Sequence, residues 1–319
     1  LWSKYGRDPK PGTIIPLFQA PEDFSPAECA YLNNSGSETN SMFGSMIVGL
    51  AVKGYVRIDI KKVGTIFKHN RYIIYKTTPE NESDLNEIEI RFYKSLFGTK
   101  EFTVIEKGKY NAKVRVTNER LTKNIDKKQN DIYYVRNGHL IKKAFIIPLI
   151  AGFIGGIGFF LFGGLVFILI VALVIMAVVN FAFFKLIEQP TTAGRLKTDE
   201  IEGFKMYMKY ADQERIKMQN PPSLNFDHFE ENLAFAIALD VADEWSGKFD
   251  PGELKERMAT SMPYYTGLHA AGFSSIGEDF SSAISSASTP PSSSGGSGGF
   301  SGGGGFSGGG FGGGGGGGW

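Results

Sequence analysis

The sequence has little from which a reactive site could be built. Its single cysteine, Cys29, excludes an internal disulfide and fits a reducing compartment. No base or cation stands beside Cys29 in sequence, so a buried or incidental thiol is expected rather than a nucleophile. The four histidines, His69, His139, His228 and His269, are dispersed, and none pairs with cysteine or histidine at zinc spacing. Asp227, His228, Glu230 and Glu231 do cluster, but at the start of an expected helix, where acidic residues favour the helix dipole anyway. Gly152, Gly155, Gly156 and Gly158 have no Lys-Ser/Thr pair beside them, so they are not a phosphate loop. No enzyme chemistry, cofactor or metal is therefore expected, and a net charge of +1 gives no global attraction to nucleic acid.

The most informative absence is of charge. No charged residue occurs between Lys143 and Lys185. A bilayer core of ~30 Å needs roughly 20 apolar residues as a helix, and this run is about twice that, so two spans are expected. Phe162, Gly163 and Gly164 sit near its midpoint, where adjacent glycines weaken a helix and let the chain reverse. Gly152 and Gly156 have the small-xxx-small spacing that lets two helices approach closely. Asn180 is read either as a hydrogen-bonding group across the hairpin or as a residue near the interface. With no ionisable side chain inside it, the hairpin alone is not expected to carry ions or protons. Lys142 and Lys143 before it and Lys185, Arg195 and Lys197 after it place both ends in the cytoplasm. In that orientation the N-x-S matches at Asn33 and Asn81 are coincidental.

At the N-terminus, Trp2 and Tyr5 beside Lys4, Arg7 and Lys10 read either as the cytoplasmic end of a preceding membrane helix or as an unstructured terminus. Prolines 9, 11, 16 and 21 keep the following residues extended. Ser25, Pro26 and Glu28 form a capping box with proline at the first helical position. Phe43, Met46, Ile47, Leu50 and Ala51 mark one face of a second helix, ended by Gly54. Two strands follow, Tyr55 to Ile60 and Tyr72 to Tyr75, joined by a basic turn.

Helix, helix, strand, wing, strand is the order of a winged helix-turn-helix. A nucleic-acid contact would then rest on Lys53, Lys61, Lys62, Lys68 and Arg71, because the expected outer side of the second helix offers only Ser41, Ser45 and Gly49 besides Lys53. That poverty of cations makes nucleic acid the lesser reading and a protein-interaction module the greater.

Residues 81–143 read as a second, basic helical and winged-helix-like lobe, with a helix through Leu85, Ile88, Phe92 and Leu96 ended by Gly98. Its excess of lysine and arginine suits either anionic lipid headgroups or a solvated face. Beyond the hairpin, Asp199 is expected to cap a helix carrying Ile201, Phe204 and Met208. Asp227 is expected to cap another, from Phe229 to Trp245, with Leu233, Ile237 and Val241 inward. After Pro263 the composition turns to serine and glycine, with at most a short amphipathic helix near Ile276 to Ser286. Phe300, Phe306, Phe311 and Trp319 punctuate the glycine tail. They read either as stickers for self-association or the membrane interface, or as parts of a passive tail.

The division expected is thus 1–24, an extended membrane-proximal lead; 25–80, a winged-helix-like lobe; and 81–143, the second lobe. Then come 144–187, a transmembrane helical hairpin; 188–262, a cytosolic helical pair; and 263–319, a disordered Ser/Gly-rich tail. The fold class is an α+β membrane protein. The expected partners are the lipid bilayer and a protein partner or a second copy of the chain.

The strings GRDPKPGTIIPLFQAPEDFSPAECAYL, GLAVKGYVRID, GFKMYMKYADQERI and AIALDVADEWSGKF, with the uncharged hairpin and the glycine tail, resemble the cytoplasmic C-terminal half of the YciQ-like predicted membrane proteins (domain of unknown function 2207). The resemblance implies a multi-pass protein of the bacterial cell membrane. It also implies a signal peptide, an extracytoplasmic β-rich domain and one membrane helix upstream. It carries no catalytic residues. The function expected is an interaction or scaffold platform at the envelope; the alternative is a membrane-tethered transcriptional regulator.

Overall fold

The computed structural model describes residues 8–64, 68–77, 85–136, 150, 174–176, 178–179, 189–210, 224–252, 254, 256–257, 265–266 and 273–290. The chain begins with an extended lead and enters α1 (Pro26–Asn33) through the expected capping box: the Ser25 side chain accepts from the Glu28 N–H, and the Glu28 carboxylate accepts from the Ser25 N–H at 2.9 Å. Glu28 is fully buried, and Lys128 supplies its counter-charge at 2.7 Å. An uncompensated carboxylate there would be strongly destabilising.

The second helix, α2 (Ser41–Val52), is the centre of the molecule, since every residue from Met42 to Ala51 is buried. The expected outer side of Ser41, Ser45 and Gly49 therefore needs correcting, because Ser45 and Gly49 lie inside. Their small size is what permits this. A Cβ on Gly49 would meet the Ala234 methyl at 3.5 Å, and one on Gly44 would meet the Phe280 ring at 3.3 Å. The polar-looking stripe is thus where other helices come close.

Strands β1 (Val56–Val63) and β2 (His69–Lys76) form an antiparallel hairpin, longer than expected because pairing continues to Val63 opposite His69. Helix α3 (Glu87–Phe97) has its own capping box, Asn86 with Glu89, and ends at Gly98, whose φ of 58° lies in the left-handed region that favours glycine. Strand β3 (Phe102–Glu106) then pairs antiparallel with β2, so one sheet crosses the 80/81 division. Helix α4 (Ala112–Gln129) starts at Asn111, whose side chain accepts from the Lys113 and Val114 N–H groups.

Two-residue strands β4 (Tyr134–Val135) and β5 (Gln189–Pro190) pair with each other ahead of α5 (Thr192–Tyr210). Helix α6 (Phe226–Ala238) and α7 (Ala242–Ser246) replace the single helix expected from Phe229 to Trp245. Asp240, with φ 58°, breaks it. Asn225 rather than Asp227 caps α6, accepting from the His228 N–H at 2.9 Å, and Asp199 lies within α5 rather than at its cap.

Nor do α5 and α6 form a pair apart. Helix α6 lies chiefly along α2 and α1, and it meets α5 through rings such as Phe204 and Phe235, 5.8 Å apart. Strand β6 (Tyr265–Thr266) adds to β1 in parallel, giving the order β3-β2-β1-β6. Helix α8 (Phe273–Ser288) contains the short amphipathic helix expected near Ile276 to Ser286, but it is longer and enters the core with Phe280, Ala283, Ile284 and Ala287. Their i, i+3, i+4, i+7 spacing is an apolar helical stripe set in serine.

One continuous core runs from Phe24 to Ala287. Among the described residues no helix is long and apolar enough to cross a membrane, and most of the hairpin expected at 144–187 lies outside them.

Candidate membrane-proximal site

Two widely separated pieces of chain meet at the N-terminal end of α5. Tyr134 lies opposite Pro190 and Val135 opposite Gln189 in the β4–β5 ladder. The Thr191 N–H donates to the Tyr133 carbonyl at 3.0 Å, and the Thr191 hydroxyl donates to the Ile132 carbonyl at 2.6 Å. Gly194 lets the α5 backbone press against Tyr133, since a Cβ there would fall 1.8 Å from the Tyr133 carbonyl oxygen. The incoming strand is held in turn by Arg136, which donates to the Tyr31 hydroxyl and pairs with Asp126, each at 2.7 Å. Tyr31 donates to the same carboxylate at 2.9 Å. Burial first, and then this hydrogen bond, push the Tyr31 hydroxyl pKa well above its ordinary value, so it stays a neutral donor.

The extended lead arrives at the same end. The Gly12 N–H donates to Asp199 at 2.9 Å, and Arg195 also pairs with Asp199. The Leu17 N–H donates to the Gly203 carbonyl at 3.1 Å, while the Phe18 ring meets Tyr207 edge-on at 5.0 Å. Contacts at 199, 203 and 207 step along α5 as the lead goes from 12 to 18. The lead thus runs along α5, from Gly12 at Asp199 to Phe18 at Tyr207.

The residues singled out in sequence are scattered by comparison. Gly152, Gly156, Gly163 and Gly164 lie outside the described residues, as do Phe300, Phe306, Phe311 and Trp319. Lys53 ends α2 and donates to both carboxylate oxygens of Glu89, at 2.9 and 2.8 Å. Lys61, Lys62 and Lys68 are exposed around the end of the β1–β2 hairpin. Arg71 is paired to Glu106 at 2.6 Å. With α2 enclosed on all sides, the helix that would enter a DNA groove offers no face to one. His228 is likewise structural: its Nε2 meets the Tyr207 hydroxyl at 3.0 Å, and burial holds its pKa below the ordinary value.

Sequence reasoning missed Glu106. This nearly buried carboxylate gathers three partners: the Arg71 and Lys109 cations at 2.6 and 2.9 Å and the His69 ring at 3.1 Å. Burial alone would raise its pKa, but the hydrogen bonds from Arg71, Lys109 and His69 outweigh burial and hold it at about 2. A depressed carboxylate pKa stabilises the fold fully above the unfolded value, and that contribution is lost as pH falls through the folded one. Glu106→Gln is therefore expected to lose about 1–3 kcal/mol at neutral pH. It should also lose the part of the acid dependence that lies between the ordinary carboxylate range and pH of about 2. Thermal midpoints of both proteins across that range check this, and parallel curves would refute it.

A family model described as predicted membrane protein (DUF2207) C-terminal domain matches residues 15–249. No curated protein and no solved structure matches the chain.

Proposed function

The chain belongs to the DUF2207 C-terminal domain family of predicted membrane proteins, and from that premise we propose that residues 144–187 cross the membrane twice while the folded body serves as an interaction platform on the cytoplasmic side. The observation that carries the reading is the β4–β5 ladder. The two ends of the intervening stretch are adjacent, because Val135 lies directly opposite Gln189. Paired strands lie about 4.8 Å apart, so an excursion that ends where it began crosses a membrane an even number of times. The described residues inside the run agree: Ile150, Val174, Ile175, Val178 and Val179 are helical, and each is more than half exposed. Bare apolar helix surface of this kind suits lipid rather than water. Lys142, Lys143, Lys185, Arg195 and Lys197 favour the cytoplasm for both feet.

Paired reporter fusions test the topology. Alkaline phosphatase inserted at Gly163 should be active and a fluorescent protein there dark, with the reverse after residue 257. A cytoplasmic Gly163 would end the proposal.

A further inference from the structure

The sheet has a second face, turned away from the core. Register sets Arg57, Tyr75 and Phe102 in one row across β1, β2 and β3, Asp59, Ile73 and Val104 in the next, and Lys61, Arg71 and Glu106 in the third. Alternate residues on the same strands, Ile58, Tyr72, Ile74 and Ile105 among them, point into the core. The Arg57 guanidinium lies 4.7 Å from the Tyr75 ring centroid, and the Tyr75 and Phe102 rings are 5.9 Å apart. Phe102 is 50% exposed, and Arg57 and Lys61 are exposed beside it. The face thus has its aromatic rings beside Arg57 in the first row, Ile73 and Val104 beside Asp59 in the second, and Lys61 with the Arg71–Glu106 pair in the third, Arg57 also pairing with Asp59 at 3.3 Å.

We propose that this face is the docking site for the chain's own glycine-rich tail, residues 291–319, through the rings of Phe300, Phe306 and Phe311. Three observations lead there. The first is where the tail starts. The end of α8 is fixed beside the turn that follows β3, since the Asn111 N–H donates to the Ala287 carbonyl at 2.8 Å and the Gly108 N–H donates to the Ser286 hydroxyl at 3.0 Å. Phe102 is four residues back along β3, roughly 13 Å at strand rise.

The second is reach. Residues 291–300 can span up to about 33 Å when extended, and a connection this short keeps the rings near the face at roughly millimolar effective concentration.

The third is chemistry. Residues 291–319 contain no charged side chain, and their only large groups are aromatic. Offset or edge-on rings, and cations over ring faces, are the contacts that Tyr75, Phe102 and Arg57 offer. Bare glycine between the rings lets one ring replace another on a face with room for one or two. This stands whether or not 144–187 spans the membrane.

The experiment places benzoylphenylalanine at position 306 of the full chain in lipid nanodiscs and maps photo-crosslinks by mass spectrometry. Docking predicts crosslinks within one chain, to peptides holding residues 71–76 or 102–104. Tyr75→Ser with Phe102→Ser should lower their yield at least fivefold. Because the tail is uncharged, raising salt to about 0.5 M should leave the yield within twofold, whereas an acidic competitor for Arg57 and Lys61 would be screened. If the double variant fails to fold, Arg57→Ala, which removes an exposed side chain, should lower the yield at least twofold. Crosslinks between two chains, to lipid or to other parts of the body overturn the proposal, as does a yield that the face variants leave unchanged.

Discussion

Gly194→Val is expected to cost roughly 3 kcal/mol or more and to loosen the β4–β5 ladder from α5. Helix propensity alone predicts the opposite, since valine is better than glycine in a helix by a few tenths of a kcal/mol. Contact decides the sign. A Cβ at 194 would sit 1.8 Å from the Tyr133 carbonyl oxygen, 2.7 Å from its carbonyl carbon and 3.0 Å from its Cα. Backbone cannot rotate away as a side chain can, so either β4 or the first turn of α5 must move. Either movement breaks the Thr191 hydrogen bonds to Tyr133 and Ile132. For a body of this size each kcal/mol shifts the thermal midpoint by about 2–4 °C, so a fall of roughly 6–12 °C is expected in detergent-solubilised protein. Ala193→Val is the control, one residue earlier and exposed. It should cost no more than ~0.7 kcal/mol, the propensity difference alone. Equal midpoints for the two variants would mean that the contact between α5 and β4 is absent.

The part of this site that could be read in sequence was its charge pattern, and the part that could not was its geometry. Lysines flanking an uncharged run raise the expectation of a hairpin from composition alone. The ladder that closes the run is two residues long on each side, and its halves are separated by the run itself. No periodicity can reveal such a pair. Strong local signals fared well: Ser25, Pro26 and Glu28 start α1 where expected, and Gly98 stops α3. Weak ones misled in a consistent way. Ser41, Ser45 and Gly49 look like a water-facing stripe, yet small side chains equally allow close approach between helices. Ala234 and Phe280 use that space. Asp199 begins an apolar pattern and so signals a cap, but the helix starts seven residues earlier and the carboxylate instead receives Gly12 and Arg195. In each case the deciding partner is far away in sequence.

Ending the chain after residue 262 is expected to unfold the body, although the family model stops at 249. The reason lies in what α8 covers. Phe280 stacks 4.5 Å from the Tyr72 ring and fills the space left by Gly44, with Ala283, Ile284 and Ala287 buried behind it. Phe280→Ala alone should cost about 3–5 kcal/mol, the usual range for a fully buried phenylalanine. Removing the helix also strips Ile284 and leaves Tyr72 and the middle of α2 facing water. The loss should exceed ~5 kcal/mol, which reaches the whole stability of many domains of this kind. Stopping after Pro290 instead leaves α8 and its buried stripe in place, and the midpoint should stay within about 1 °C, because rings exchanging on an exposed face add little to the fold. Limited proteolysis of the three proteins separates the outcomes: rapid digestion of the 262 truncation, intermediate digestion of Phe280→Ala, and a body as resistant as the full chain when only 291–319 is missing. If the 262 truncation were as resistant as the full chain, α8 would be an appendage. Its buried stripe argues that it is an integral element of the core.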